Sequence, residues 1–339
     1  MEENMLTPRE NFLETIKPNG KPDRLVNGYE PIKMLSPDPV LSYFRAGAER
    51  GRTVVDPYGV TYIWPEDQPA RVPFHTDENK VIKNIEQWQE YVKLPDIRTN
   101  VTNWETVQAV EKDIDRTQYV ATALLGTGMF ERMHGLMGFE DALMNMYLEP
   151  EAYAGILDVI LEERLTSAEL LIDNLHPDAI LSHDDWGMKT SLFMSPDLWR
   201  EFFKPRHRKL YDYMHSRGVI VIHHADSFLE PIISDMAEIG IDVWQGVLPQ
   251  NDILKLQKEL AGSMTLMGGL DTAFMDRAEA TEEEIREAVR SACEVYGPGG
   301  HFIPCNTYGV PGNVFHPLVD ELSHEEVAAY NEKNFGIFA

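Results

Sequence analysis

The first residues with evident chemical potential are His223, His224 and Asp226, which directly follow an apolar run. Successive side chains of a strand point to opposite faces, so His224 and Asp226 share one face and His223 lies on the other. An imidazole and a carboxylate on one face are typical ligands of a divalent metal ion. The alternative is structural: Asp226 or Ser227 caps the next helix, and the histidines are hydrogen-bonded core residues. The spacing leaves both interpretations open.

Cys305 follows the last apolar run and could supply a third ligand. A thiolate is a strong zinc ligand, and a site of His224, Asp226 and Cys305 would keep the open position that catalytic zinc requires. The alternative is that Cys305 is a lone buried cysteine without a ligand role. For Cys293, which lies in a predicted helix, we prefer that second interpretation. The chain has only two cysteines, too few for a disulfide framework, which favours a reducing compartment.

A second group of candidates follows another apolar run and consists of His183, Asp184 and Asp185. An imidazole beside carboxylates suits proton transfer or the positioning of a polar substrate, so we predict catalytic roles for His183 and Asp184. Asp271 follows two glycines that would let the backbone approach a ligand, and we include it as a third catalytic candidate. The alternative for His183 and Asp184 is hydrogen bonding within a loop before a helix cap at Ser195.

The elements that would position these residues are short apolar runs that alternate with longer amphipathic stretches. Alternating strands and helices predict parallel pairing, and runs without polar alternation are typical of strands buried on both faces. Polar residues gather after several runs, and the chain lacks the glycine-rich phosphate loop of a nucleotide-binding doubly wound sheet. We therefore predict an α/β fold, a (β/α)8 TIM barrel. The predicted strands are residues 119–124, 179–181, 219–222, 241–244, 264–267 and 301–303.

The first third of the chain has a different pattern, rich in Pro and Gly between residues 18 and 68. Thr7, Pro8 and Glu10 predict a capped helix to about Lys17. Two short strands are expected around a turn at 57–59, and helical segments at 79–93 and 103–112. We predict that residues 1–115 form a helical and hairpin extension packed on a barrel of residues 116–339, in one structural unit.

The charge balance limits the possible partners. Lys and Arg number 30 against 56 Asp and Glu, which gives a net charge of −26. Such an acidic surface repels phosphate backbones and anionic lipid headgroups, so nucleic acid and membrane surfaces are poor candidates. No apolar run approaches the roughly 20 residues that cross a bilayer. The start of the sequence lacks the basic and apolar regions of a signal peptide, and we expect a cytoplasmic protein.

Three landmarks together resemble the uroporphyrinogen decarboxylase superfamily: residues 6–12, residues 184–187 with 195–197 behind them, and residues 268–272. The resemblance covers nearly the whole chain. It implies a (β/α)8 barrel and one of two activities, because the superfamily divides into true decarboxylases and corrinoid-dependent methyltransferases.

The resemblance is weaker to the decarboxylase branch. Those enzymes hold a polycarboxylate substrate with an arginine-rich N-terminal segment, and the comparable residues 24–30 here lack two of its arginines. The methyltransferases hold zinc with a His-x-Cys motif and a distant cysteine. The resemblance places His224 at the histidine, Asp226 at the first cysteine and Cys305 at the second. The change from Cys to Asp makes the donor set harder and bears on both the metal and the substrate.

We therefore expect a methyltransferase that moves a methyl group between a small substrate and a separate corrinoid protein. A methoxylated aromatic substrate is one possibility, with zinc as a Lewis acid on the ether oxygen and a proton from His183 or Asp184 to the departing phenolate. A decarboxylase of another carboxylated substrate is the first alternative. An inactive barrel that binds a corrinoid or tetrapyrrole is the second. The aromatic residues predicted to surround the substrate ring are Tyr58, Trp64, Trp186 and Tyr308.

Overall fold

Seven parallel strands form the central sheet of the computed structural model, which describes residues 5–47, 49–66, 71–308 and 314–336. The strands of this sheet follow the order β1-β5-β6-β7-β8-β9-β10, and each pairs with the next in parallel. Three further strands form a small antiparallel sheet. The strands are β1 Ile32–Met34, β2 Thr53–Val55, β3 Thr61–Ile63, β4 Val72–Pro73, β5 Val120–Leu125, β6 Ala179–His183, β7 Ile220–His224, β8 Val243–Val247, β9 Thr265–Gly269 and β10 Phe302–Cys305.

Helices precede the first strand, connect the strands of the central sheet and follow the last strand. Short 3-10 helices occupy Ile85–Gln87, Glu230–Ile232 and Gly297–Gly299. The α-helices are α1 Pro8–Ile16, α2 Pro39–Phe44, α3 Trp88–Tyr91, α4 Ile97–Asn100, α5 Glu105–Asp113, α6 Met129–Met137, α7 Phe139–Leu148, α8 Pro150–Leu175, α9 Pro196–Phe202, α10 Lys204–Ser216, α11 Ile233–Glu238, α12 Ile253–Leu260, α13 Thr272–Met275, α14 Glu282–Tyr296 and α15 Val319–Phe335. None of the described helices is both long and apolar enough to cross a membrane.

The curled sheet encloses an apolar interior, which confirms the predicted TIM-barrel class. Every strand of the seven contributes a side chain to one buried cluster. Phe12 of α1 and Tyr29, which precedes β1, belong to the same cluster. A Cβ on Gly28 would lie 3.7 Å from the Pro304 carbonyl oxygen, so the segment before β1 runs directly against β10. The strand members of the cluster are Ile32, Val120, Ala179, Leu181, Ile222, Val243, Met267, Ile303 and Cys305.

The N-terminal third takes part in the sheet, although its sequence predicted only an extension. β1 pairs in parallel with β5, with Ile32 opposite Val120. A run of three residues is too short to be distinguished by its pattern from an irregular segment. The predicted hairpin is present as β2 and β3, and a buried ion pair between Asp56 and Arg132 ties it to α6.

One predicted helix, residues 79–93, is much shorter in the structure. Only Trp88–Tyr91 is α-helical, after a 3-10 turn. The backbone N–H of Ile82 donates to the carbonyl of Leu136, 2.9 Å away in α6. This tertiary hydrogen bond replaces the local bond that a helix would make, so packing overrides the helical pattern here.

Candidate functional site

Two histidines and a carboxylate meet at the carboxyl ends of β6 and β7. His183 and His224 are the last residues of these strands and lie directly opposite in the register, with ring centroids 4.7 Å apart. Asp185 follows His183 by two residues and so returns to the same side. One donor atom each from His183, Asp185 and His224 lie within 4.8 Å of one another. We call these three residues the His2Asp cluster.

Gln245 determines which nitrogen of His224 is free. It lies opposite His224 in the register, and its Nε2 donates to the backbone carbonyls of Asn306 and Tyr308. Its Oε1 is therefore the acceptor for His224 Nδ1, at 2.5 Å. Burial and the charge of His183 lower the pKa of His224 to about 4. The imidazole is thus neutral at physiological pH, with the lone pair of Nε2 left for another partner.

His183 lies between two carboxylates. Its Nδ1 is 3.4 Å from Glu131 Oε2, and its Nε2 is 3.4 Å from Asp185 Oδ2. Burial opposes a charged imidazole, but Glu131 and Asp185 outweigh it and raise the pKa of His183 to about 10. All three side chains are between a fifth and a third exposed. A small molecule or an ion arriving from solvent can therefore reach them.

Asp184 anchors helix α6 beside the cluster and has no exposed surface. Its carboxylate accepts the backbone N–H groups of Phe130 and Glu131 in the first turn of α6, together with the Trp186 indole N–H. A Cβ on Gly128 would lie 2.0 Å from its Oδ1, so only glycine allows this approach. Asp184 therefore holds Glu131 in place near His183. It does not reach the open side of the site, where the sequence predicted a proton donor.

Trp186 and His223 form a buried layer behind the cluster. Their rings stack with centroids 4.1 Å apart, and His223 Nδ1 shares a hydrogen bond with the Tyr211 hydroxyl at 2.8 Å. His223 and His224 thus face opposite sides of β7, as the alternation of side chains in a strand requires. Trp186 has no exposed surface, so its ring contributes to the core and not to a substrate wall.

The other two predicted ligands lie outside the His2Asp cluster. The backbone N–H of Asp226 donates to Asp185 Oδ1 at 3.1 Å, so Asp226 borders the cluster. Burial and the charge of Asp185 raise the pKa of Asp226 to about 7. Cys305 is buried in the barrel interior beside the Tyr29 hydroxyl, and burial strongly raises the pKa of its thiol. Cys305 is not among the donor atoms that come together in the cluster, and Gln245 bonds both His224 and the backbone carbonyl of Asn306, which follows Cys305.

The remaining predicted residues occupy different places. Asp271 caps α13 by accepting the N–H of Phe274. Tyr58 is buried under the Arg132 guanidinium, and Trp64 lies under Arg50 in the hairpin. Tyr308 is half-buried, and its carbonyl accepts the Gln245 amide. Tyr308 therefore contacts, through its backbone carbonyl, the glutamine that orients His224.

Asp185 is among the candidates that the sequence suggests, although without a role of its own, whereas Glu131 and Gln245 are not. Asp185 carried a usable signal, because residues 183–185 repeat the His-x-Asp spacing of residues 224–226 at the end of the neighbouring strand. Glu131 comes from the first turn of a helix and Gln245 from another strand. Neither has a local pattern that distinguishes it from a surface glutamate or a polar strand end.

The donor set of the cluster fits a divalent metal ion. Two imidazoles and a carboxylate suit zinc, iron, cobalt or manganese, and the preset tautomer of His224 is typical of metal-ligating histidines. Ligand atoms around a tetrahedral zinc ion are about 3.4 Å apart. The donor atoms of the cluster lie within 4.8 Å of one another, so the most widely separated pair would need to close by up to about 1.4 Å around an ion. Glu131, 3.4 Å from His183, adds negative charge that favours a cation beside these ligands.

A curled sheet of parallel strands with such polar residues at its carboxyl ends defines the class of α/β-barrel proteins. The family model of uroporphyrinogen decarboxylase (URO-D) matches residues 53–314, and the chain belongs to this family. No curated protein matches the chain in sequence.

Solved structures agree with this fold. A methyltransferase from Methanosarcina mazei superimposes with a TM-score of 0.69 at 16% identity, over 97% of this chain and 99% of that chain. A D-psicose 3-epimerase determined in the presence of D-fructose is more distant, with a TM-score of 0.39 at 11% identity, over 70% of this chain and 86% of that chain. At these identities, the first similarity shows the fold, and the second is too low to add to it.

Proposed function

We propose that this protein is a methyltransferase that moves a methyl group from a small methyl ether, such as a methoxylated aromatic compound, to a corrinoid protein. The observation that carries the proposal is the His2Asp cluster, with a free His224 Nε2, at the carboxyl ends of adjacent barrel strands. Membership of the URO-D family and the fold shared with a methyltransferase support it.

In this proposal His183, Asp185 and His224 hold one divalent ion, for which zinc is our first candidate. Such an ion would supply a Lewis acid for the ether oxygen. Gln245 fixes His224 through the bond to its Nδ1, and Glu131 orients His183 from the other side. The two imidazole rings keep their places because each has a partner on the nitrogen that faces away from the ion.

The proton for the departing oxygen comes, in this proposal, from the carboxyl group of Asp226. Its backbone N–H donates to Asp185, and the charges of Asp185 and His183 act on its carboxyl group, which supports a role beside the ligands. Asp184 is a positioning residue, because its carboxylate is fully buried under the first turn of α6. This assignment replaces the sequence-based choice of His183 or Asp184 as donor.

The corrinoid protein would dock over the carboxyl ends of the strands, since the methyl group must come within bonding range of its cobalt. His183 and Asp185 are partly exposed on this side. The decarboxylase alternative has less support: Arg24, in the stretch comparable to the family's arginine segment, is buried and already bonded to Asp23 and to the Leu6 carbonyl.

The test measures metal content and methyl transfer in parallel. The full chain is purified with zinc present, and metal per chain is determined by plasma emission for wild type, His183→Ala, His224→Ala and Cys305→Ala. We expect roughly one ion in wild type, strong loss in both histidine variants and no change in Cys305→Ala. Cys293→Ala, a buried cysteine in α14, is the matched control.

Transfer from methoxybenzenes to free cob(I)alamin is followed by visible absorbance. Metal loss in Cys305→Ala combined with retention in His183→Ala would establish the sequence-based set His224, Asp226 and Cys305 in place of the His2Asp cluster. A wild-type chain that binds no metal, or that transfers no methyl group when metal is bound, would contradict the proposal.

A further inference from the structure

Two arginines beside the site lack an acidic partner. Most arginines of this acidic chain form ion pairs, as Arg116 and Arg206 do. Among the residues that the structure describes, neither Arg45 nor Arg71 has a carboxylate oxygen within the 4.0 Å of an ion pair. In a protein with a net charge of −26, two unpaired guanidinium groups in one place are unexpected.

The two side chains are neighbours at the end of α2. Arg71 Nη2 donates to the carbonyl of Phe44 at 2.9 Å, and Phe44 directly precedes Arg45. The Arg71 guanidinium also stacks 4.0 Å above the ring of Tyr62, which fixes its plane. Its Nη1 is buried without a hydrogen-bond partner. Burial and the nearby charge of Arg45 lower the pKa of Arg71, as expected for adjacent cations.

Arg45 is the member of the pair on the side of the His2Asp cluster, near the end of β5, where the carboxylate of Glu131 acts on its charge. A Cβ on Gly126 would lie 3.9 Å from Arg45 Nη2. Gly126 follows β5 and begins the loop that leads into α6, where Glu131 contacts His183. A molecule that spans from Arg45 to the cluster would therefore pass over the first turn of α6.

The local charge sets the kind of ligand. The two guanidinium groups carry two positive charges, and the nearby carboxylates that act on Arg45 are Glu131 and the buried helix cap Asp38. Part of the positive charge is thus already balanced, which favours a monoanion over a dianion such as phosphate. A planar carboxylate also matches the fork of donors that a guanidinium presents.

We propose that Arg45 and Arg71 form a subsite for a carboxylate group carried by the substrate. The inference rests on the proposed function, which assigns the methyl ether group of the substrate to the metal site. It adds that the same substrate bears a carboxylate, as a methoxybenzoate does. These arginines lie outside residues 24–30, the stretch comparable to the arginine segment of the decarboxylases. The acidic surface as a whole does not oppose this, because a charged hydrogen bond acts at short range.

The test compares an acid with its neutral counterpart. Affinities of 4-methoxybenzoate and 4-methoxybenzamide for the zinc-loaded full chain are measured by isothermal titration calorimetry. We expect wild type to prefer the acid at least tenfold. Arg45→Gln and Arg71→Gln should each lose about tenfold in affinity for the acid and keep their affinity for the amide. The control is Arg52→Gln. Arg52 is an exposed arginine directly before β2 and pairs with Glu49.

Equal affinity of wild type for acid and amide, or an equal loss in Arg52→Gln and Arg45→Gln, would overturn the subsite. Displacement of the acid by inorganic phosphate at lower concentration than by acetate would overturn the choice of a carboxylate. Methyl transfer to cob(I)alamin is measured separately. Acid-selective binding without methyl transfer would support the subsite and contradict the proposed function. Methyl transfer at equal rates from the acid and the amide would support the proposed function and contradict the subsite.

Discussion

A single substitution of Gln245 tests whether this residue fixes the tautomer and orientation of His224. Its Oε1 accepts from His224 Nδ1, which keeps the lone pair of Nε2 directed to the cluster. Gln245→Leu removes that acceptor, so the imidazole can change tautomer and rotate. We expect zinc affinity to fall about 10- to 100-fold, as measured by competition with a chelator.

The matched variant is Gln245→Glu, which keeps an acceptor for His224 and loses the two donor bonds to the carbonyls of Asn306 and Tyr308. It should hold zinc better than Gln245→Leu does. Unchanged affinity in Gln245→Leu would show that the orientation of His224 does not depend on this bond.

At the scale of single elements, helix α10 is fixed to the sheet by a pH-dependent contact. His215 in its last turn bonds Asp242 Oδ2 at 2.9 Å, and the same oxygen accepts the N–H of Val221 at the start of β7. The bond with Asp242 raises the pKa of His215 above its usual value of about 6.5. The folded state therefore binds the proton more tightly than the unfolded state.

The sign of the pH dependence follows from that raised pKa. The stabilisation is complete below the unfolded pKa of about 6.5 and is lost as the pH rises through the higher folded value. His215 is 37% exposed, so solvent screening limits the effect to about 0.5 kcal/mol. His215→Gln should lower the free energy of urea unfolding at pH 5.5 by this amount more than at pH 9. A variant with the same deficit at both pH values would show that His215 contributes only packing.

At the scale of the whole molecule, the N-terminal helix and the barrel share one core. Phe12 of α1 has no exposed surface and belongs to the buried cluster that includes side chains from all seven strands. Arg9 adds an ion pair with Asp178 at 2.8 Å, next to the start of β6. We therefore expect α1 and the barrel to unfold together.

Phe12→Ala should therefore destabilise the whole chain. Removing a fully buried Phe leaves a cavity and costs about 3–5 kcal/mol, and we expect a single unfolding transition at lower denaturant concentration when tryptophan fluorescence and circular dichroism are compared. Phe335→Ala, at an exposed position in α15, should change little. Two separate transitions would contradict the idea of a shared core.

Local sequence patterns predicted most of the barrel correctly. The six predicted apolar runs correspond to β5–β10, and the cap at Thr7 and Glu10 begins α1 as expected. These features depend on neighbours within a few residues, which is the range that periodicity and capping rules describe. β1 was missed because its three residues carry too little pattern, and the helix expected at 79–93 was shortened by a bond from Ile82 to another element.

For the candidate site, the sequence by itself determined which faces the side chains take. The alternation in β7 separates His224 from His223, and two His-x-Asp segments end neighbouring strands. Only the tertiary structure decided which residues meet. The register brings His183 and Asp185 to His224, Gln245 bonds both His224 and the backbone after Cys305, and Asp184 holds α6 with Glu131 beside the site. The spacing of residues within a strand determines the face to which each side chain points. The distances between residues of different elements depend on strand register and on helix packing, which no local pattern encodes.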